Sequence, residues 1–160
     1  MDHGQEQFEK GTAALEEYNY PSALTLLLPL AEVGNAEAQS LVGILYFESL
    51  YRFPKPEDEV GWNNLSKEEL ASWEAQDTPE AIKWLTKASE QGIGPASHNL
   101  AMLMWGLAST LSDPVGRTDA KNEARSLLKR AWEQGCAVAE FLSDDLKDDP
   151  SPEPSKHMVP

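Results

Sequence analysis

The chain has 160 residues, of which 41% are hydrophobic and 25% charged, and its formal net charge at pH 7 is −14. This length and composition predict one ordinary globular domain, and no apolar run approaches the length of a membrane span. The negative charge argues against binding to nucleic acid or anionic lipid, and a single cysteine excludes an internal disulfide framework.

The negative charge is unevenly distributed. Residues 1–80 carry a balance of −12, whereas residues 81–160 carry −2. An acidic half raises the rate of encounter with a basic partner, so we expect a basic protein as partner. A simple gain in solubility remains the alternative explanation. The N-terminal residues MDHGQE lack a basic region followed by an apolar core, so we expect a cytoplasmic location.

Apolar side chains at helical spacing predict three helices in the first third of the chain, at about 5–18, 21–33 and 36–50. We expect Gly34 to end the second helix in a left-handed conformation and Asn35 to cap the third. Because Gly43 lowers helix propensity by about 1 kcal/mol relative to alanine, we expect a neighbouring helix to pack closely against it.

Residues 51–77 interrupt this rhythm and are predicted to be an insertion. Prolines, an acidic run and a glycine favour a loop in the first part of the insertion. The sequence from Ser66 to Glu69 then has the form of a capping box, and Leu65 and Leu70 occupy the two staple positions around it. This pattern predicts a short helix at about 67–75 that carries Trp73.

Four more helices are predicted in the second half of the chain, which brings the expected total to seven or eight. They lie at about 79–91, 95–110, 119–134 and 137–146. Asp77 and Pro79 have the residue types of a cap and a first-turn proline, and Thr118 is expected to cap the helix that follows it. Residues 148–160 are rich in proline and acidic side chains and are predicted to be a disordered tail.

Three stretches of the chain repeat one pattern of small and apolar residues. The pattern is Ala-x3-Leu-x2-(Leu/Ala)-x3-Gly-x3-Ala, and it begins at Ala23, Ala81 and Ala124. A recurring unit of a helix, a glycine turn and a second helix predicts a stacked α-solenoid. The longer interval between the first two copies is explained by the insertion.

The first of these units, from Tyr20 to Tyr46, resembles the Sel1-like repeat, a relative of the tetratricopeptide repeat. The second copy departs from the family pattern at Ala101 and Met104, and the third loses it after Ala139. The resemblance implies an all-α solenoid of antiparallel helix pairs, wound as a right-handed superhelix whose first helices line a concave surface. The predicted domain covers 1–147, with repeats at about 20–50, 78–108 and 119–142.

Members of this family act mainly as adaptors in signalling and in bacterial envelope or secretion systems. Some small acidic bacterial members are immunity proteins that neutralise a toxin. The family has no catalytic residues, so the resemblance implies a protein that binds a partner and performs no reaction.

No catalytic or metal-binding constellation is recognisable in the sequence. His3, His98 and His157 lie far apart, and no cluster of ligands has metal-binding spacing. Cys136 directly follows a helix-stop glycine, but a small buried side chain is a simpler interpretation than a reactive thiolate. We therefore expect no enzyme, no cofactor and no metal.

The aromatic residues fall into two groups. Trp84, Trp105 and Trp132 lie within the repeats and are predicted to pack in the core or between repeats. The aromatic and acidic residues in and around the insertion instead resemble an interface hot spot, in which anchors are surrounded by charge. The predicted partner-binding residues are Tyr51, Phe53, Glu57, Asp58, Glu59, Trp62, Glu68, Glu69 and Trp73. The simpler alternative is that Trp62 and Trp73 attach the insertion to the first repeat.

Two functions are compatible with these observations. In the first, the chain is an immunity or inhibitor protein that uses its acidic surface and aromatic anchors to bind and occlude a basic toxin or effector. In the second, it is an adaptor or regulatory scaffold that holds a peptide or partner domain in the concave groove, between 21–33 and 79–91.

Overall fold

The computed structural model describes residues 3–52 and 66–137, and all statements on structure below concern these residues. They form an all-α fold in which 84% of the residues are helical and no strand occurs. The six α-helices are α1 (His3–Glu16), α2 (Tyr20–Glu32), α3 (Ala36–Phe47), α4 (Lys67–Glu90), α5 (Gly94–Thr110) and α6 (Pro114–Glu133). A short 3₁₀ turn, Leu50–Arg52, follows α3.

The described residues contain six helices, fewer than the predicted seven or eight, because two predicted helices form one and most of the predicted helix 137–146 lies outside the described residues. The predicted helices at about 67–75 and 79–91 are continuous in α4, which passes through Pro79. The proline removes one backbone donor but its fixed φ is compatible with a helix. Asp77, predicted as the cap of a new helix, instead directs its carboxylate to Ser49, Tyr51 and Arg52.

The last described helix also begins earlier than predicted. Asp113 accepts a hydrogen bond from the backbone N–H of Gly116 at 2.7 Å, and Pro114 takes the first helical position. The helix therefore begins at Pro114 and not at the predicted residue 119. Thr118, predicted as the cap, lies inside the helix. Most of the predicted helix 137–146, and the tail 148–160, lie outside the described residues.

The three repeat glycines end three helices in the same way. Gly34, Gly92 and Gly135 have positive φ angles of 99°, 93° and 85°. In each case the glycine N–H and the next N–H bond back to carbonyls in the last turn of the helix, at 2.9–3.1 Å. This is the Schellman motif, and it confirms the left-handed stop predicted at Gly34.

We expect Gly92→Ala to lower the free energy of unfolding by about 1 kcal/mol, because an L-residue with a Cβ is strained at positive φ. Urea denaturation measures this loss. Gly92→Asn, which tolerates the left-handed region better, should recover part of it. Equal stability of the alanine variant and the wild type would contradict the assigned cap geometry.

The repeated positions are buried alike in the three units. The leading alanines Ala23, Ala81 and Ala124 are fully buried, and so are the leucines that follow them four residues later. The described side chains form two apolar clusters, one around α1–α3 and one around α4–α6. Trp84 belongs to the first cluster although it lies on α4, so it joins the two.

Polar side chains connect successive units in a repeated manner. The C-cap glutamine of α4, Gln91, donates to Gln39 Oε1 at 2.7 Å, and Gln39 donates to the carbonyl of Ala31 at 3.0 Å. The C-cap glutamine of α6, Gln134, donates directly to the carbonyl of Ser89, which is the residue equivalent to Ala31. These bonds satisfy buried polar groups and fix the register between units.

Gly43 lies at a close helix–helix contact, as predicted. A Cβ placed on it would lie 2.7 Å from Leu85 Cγ and 3.1 Å from the backbone nitrogen of Leu85. The absence of a side chain therefore lets α4 approach α3 closely, which offsets the lower helix propensity of glycine. No helix among the described residues is long and apolar enough to cross a membrane.

Candidate functional site

The structure describes four of the nine predicted partner-binding residues. Tyr51, Glu68, Glu69 and Trp73 are described, and they fall into two separate arrangements. The other five, Phe53, Glu57, Asp58, Glu59 and Trp62, lie outside the described residues.

Tyr51 and Trp73 meet at a cluster built around Asp77. The Asp77 carboxylate is almost fully buried and accepts bonds from Ser49 Oγ and Tyr51 Oη, both at 2.7 Å. Arg52 donates to the same carboxylate from Nε at 2.9 Å and from a terminal nitrogen at 2.8 Å. A carboxylate with four donors of this kind is a fully satisfied buried charge.

The electrostatics of this cluster favour the ionised carboxylate. Burial alone would raise the pKa of Asp77, but the bonds from Arg52, Tyr51 and Ser49 outweigh it and hold the pKa below its ordinary value. Burial, together with the bond donated to Asp77, raises the pKa of the Tyr51 hydroxyl well above its usual range. The hydrogen bond to Asp77 likewise raises the pKa of Arg52, so the ion pair is fixed at neutral pH.

Aromatic rings enclose the arginine of this cluster. The Arg52 guanidinium carbon lies 5.1 Å from the centre of the Tyr51 ring and 5.0 Å from that of Trp73. Tyr51 also makes an edge contact with Tyr46, with ring centres 5.2 Å apart. These contacts join the two ends of the insertion, and Tyr51 also links it to Tyr46 of the first repeat.

Glu68 and Glu69 have a different environment in the first turn of α4. Glu69 Oε2 accepts from the Ser66 backbone N–H at 2.9 Å, and the Ser66 hydroxyl accepts from the Glu69 N–H, which confirms the predicted capping box. The backbone hydrogen bond from Ser66 lowers the pKa of Glu69. Glu69 therefore has a local structural role, and Glu68 is exposed beside it.

An open groove of about 640 Å³ lies beside the N-terminal half of α4, the part of this helix that precedes the repeat pattern beginning at Ala81. The N-terminal half of α4 forms one wall and the C-terminal half of α5 the other, with the end of α3 between them. Its lining is mainly apolar and comprises Phe47, Ala71, Glu74, Ala75, Thr78, Pro79, Met102, Leu103, Gly106, Leu107 and Thr110. The exposed side chain of Met102 and the open space beside Gly106 leave this surface accessible.

A smaller, more polar pocket of about 100 Å³ adjoins the groove and shares Phe47 and Glu74 with it. Glu48, Leu70 and Trp73 also line this pocket. Glu48 and Glu74 are exposed, and neither forms a salt bridge with a described cation. Two carboxylates therefore lie at one end of an apolar groove.

Sequence reasoning missed both the Asp77 cluster and the groove. Residues 25–28 positions apart supply the partners of Asp77, and an Asp followed by Thr-Pro looks like a helix cap when read locally. The groove left a weak signal: Gly106 in the middle of a helix, and Ala71 and Ala75 one turn apart on a polar helix. These small residues leave the backbones of α4 and α5 accessible at the surface of the groove.

Two of the three repeat tryptophans follow the predicted packing less closely than Trp84. Trp105 is half-buried, with Lys121 and Arg125 over its ring at 5.0 and 5.6 Å. Trp132 is 48% exposed, contrary to prediction, because Ala124, Leu127, Leu128 and Ala131 form the buried face of α6 instead. Cys136 is half-buried against the second apolar cluster, and the described residues contain no group of three side chains suited to a metal ion.

Comparison with known proteins gives no assignment: no family model, no curated protein and no solved structure matches the chain. The resemblance to Sel1-like repeats therefore stays a prediction from the residues quoted above.

Proposed function

We propose that this chain is a protein-binding module built from Sel1-like repeats stacked as an α-solenoid, and that it binds its partner in the groove between α4 and α5. The observation that carries this proposal is the groove itself. Exposed apolar surface that three helices shape into a concave site is typical of interaction surfaces in proteins. The repeated caps and glutamine bonds support the stacked arrangement.

The charge of the chain supports a basic partner. A net charge of −14, concentrated in residues 1–80, would attract a positively charged protein and speed its association. The most concrete form of the proposal is an immunity or inhibitor protein that occludes a basic toxin or effector in a bacterial cytoplasm. An adaptor that holds a peptide is the second form, and the same groove would serve both.

Blocking the groove at Gly106 tests the proposal. A Cβ added at Gly106 has no neighbouring atom within 4 Å, and Gly106 lines the groove, so we expect the side chain of Gly106→Arg to occupy the groove while the fold is retained. We expect tagged Gly106→Arg to lose a discrete partner that the tagged wild-type chain captures from its host, with a loss of tenfold or more in recovered partner. Quantitative mass spectrometry of the captured proteins measures this.

Gly106→Ala is the matched control, because it adds one methyl group at the same site and should retain the partner. A partner captured equally by all three chains would contradict binding in the groove. The inhibitor form further predicts that the captured protein is basic and arrests growth when it is expressed without this chain. A captured protein that is harmless alone would favour the adaptor form.

A further inference from the structure

We infer that the segment bound in the groove is an amphipathic α-helix that carries a lysine or arginine beside its apolar stripe. This inference deepens the proposed function, since it names the chemistry of the partner at the same site. Three features of the groove lead to it: its small residues, the state of its backbone groups and the acidic pocket at its end.

Small residues on both walls leave room for a helix backbone. Ala71 and Ala75 lie one turn apart and exposed on α4, and a methyl group added to Gly106 on α5 would have no neighbouring atom within 4 Å. Helices pack closely where small residues line the contact, because the backbones can then approach each other. Phe47, Leu103 and Leu107 supply apolar surface for the side chains that such a helix would insert.

The backbone of the groove favours a helical over an extended segment. Both walls are α-helices, whose backbone groups are already paired within each helix, and the described residues include no strand edge. An extended peptide would leave its own N–H and C=O groups without partners over an apolar surface, which is costly. A helix satisfies these groups internally and presents only side chains, as in helix-in-groove recognition.

The charge at the end of the groove selects a basic residue. Glu74 lines the apolar groove and also the polar pocket, where Glu48 is the second carboxylate. Neither pairs with a cation among residues 3–52 and 66–137. A lysine or arginine next to the apolar stripe of the bound helix would reach this pocket, whereas an acidic residue there would be repelled.

A selection from a phage-displayed library of random 16-residue peptides tests the inference without a known partner. The full chain is the bait, and clones that also bind the Gly106→Arg chain are removed. We expect the remaining peptides to share apolar residues at i, i+3 or i+4, and i+7, with a lysine or arginine beside them. Their helix content, measured by circular dichroism, should rise on binding.

Charge reversal in the polar pocket then tests the electrostatic part with the best selected peptide. The double variant Glu48→Lys/Glu74→Lys should bind this peptide roughly tenfold more weakly or worse. The matched control Glu16→Lys/Glu17→Lys makes the same charge change at the end of α1 and should alter the affinity less than twofold. Fluorescence anisotropy measures both, and thermal melts confirm that the variants are folded.

The outcomes separate this inference from the proposed function. Peptides that depend on the groove but have extended spacing, or lack basic residues, would overturn the helical cationic partner and leave groove binding in place. Equal weakening by the two charge-reversal pairs would also overturn it, since general attraction would then explain binding. If removing the clones that bind the Gly106→Arg chain left no binding peptide, both the inference and binding in the groove would be contradicted.

Discussion

Asp77→Ala is expected to lower the free energy of unfolding by about 3 kcal/mol, because breaking a buried ion pair leaves its remaining partner uncompensated. The Arg52 guanidinium would lose both of its bonds to the carboxylate, and the hydroxyls of Ser49 and Tyr51 would lose their acceptor. Chemical denaturation followed by circular dichroism measures the loss. Asp77→Asn should be nearly as damaging, since an amide cannot accept from all four donors.

Glu74→Gln is the matched control for this prediction. It removes a carboxylate three residues away on the same helix, where the group is exposed and forms no salt bridge with a described cation, so the change should stay within about 0.5 kcal/mol. Equal effects at Asp77 and Glu74 would contradict the structural role of the cluster.

The same cluster predicts a pH dependence. The folded pKa of Asp77 lies below its unfolded value, so the ionised carboxylate stabilises the fold fully above the unfolded pKa of about 4. This contribution is lost as the pH falls through the folded pKa. The difference in stability between the wild type and Asp77→Asn should therefore be constant from pH 5 to 7 and shrink below pH 4. A difference that grows with acid would contradict the assignment.

Gly43→Ala and Gly106→Ala are expected to change stability in opposite directions, although both replace a glycine inside a helix. Each gains about 1 kcal/mol of helix propensity. At Gly43, however, the new methyl group would lie 2.7 Å from Leu85 Cγ and 3.1 Å from the backbone nitrogen of Leu85. At Gly106 the new methyl group would have no neighbouring atom within 4 Å. Overpacking costs roughly 1–3 kcal/mol, so Gly43→Ala should be less stable than Gly106→Ala by that amount.

A double-mutant cycle identifies the source of this difference. Leu85→Ala removes the Leu85 Cγ that the methyl group would meet, so the cost of Gly43→Ala should fall in that background. Urea unfolding of the four proteins in the cycle provides the measurement. If Gly43→Ala cost the same with leucine or alanine at position 85, the close contact between α3 and α4 would not be its cause.

Local signals in the sequence predicted the parts of the fold that depend on local chemistry. Gly34, Gly92 and Gly135 stop helices because only glycine adopts positive φ without strain, and this preference is visible in a single residue. The caps at Asn35 and Ser66 were likewise predictable from residue type and spacing. The contact at Gly43 could be inferred because glycine lowers helix propensity, so its presence inside a helix indicates that a larger side chain would not fit.

The candidate site was less predictable because it depends on contacts between distant residues. Asp77 and Pro79 resemble a helix start, and only the position of Arg52 in space shows why the carboxylate turns away and α4 continues. The groove exists because this longer α4 projects alongside α5. The contact between Trp73 and Arg52 is equally non-local, because the two residues lie at opposite ends of the insertion.

These findings connect the insertion to the proposed function. The Asp77 cluster joins the ends of the segment 51–77, and residues of α4 that precede Asp77 line the groove opposite α5. The extra turns supply one wall of the groove, including Ala71 and Ala75, and the carboxylate of Glu74. The insertion thus contributes an apolar surface as well as charge, which the sequence alone did not indicate.

The most direct test of groove binding is a methyl NMR map of the chain with the best selected peptide. The proposal predicts that the largest shifts occur at Ala71, Ala75, Met102, Leu103 and Leu107, with little change at the methyl groups of α1 and α2. Shifts concentrated on α1 and α2, with the groove methyl groups unmoved, would contradict the proposal.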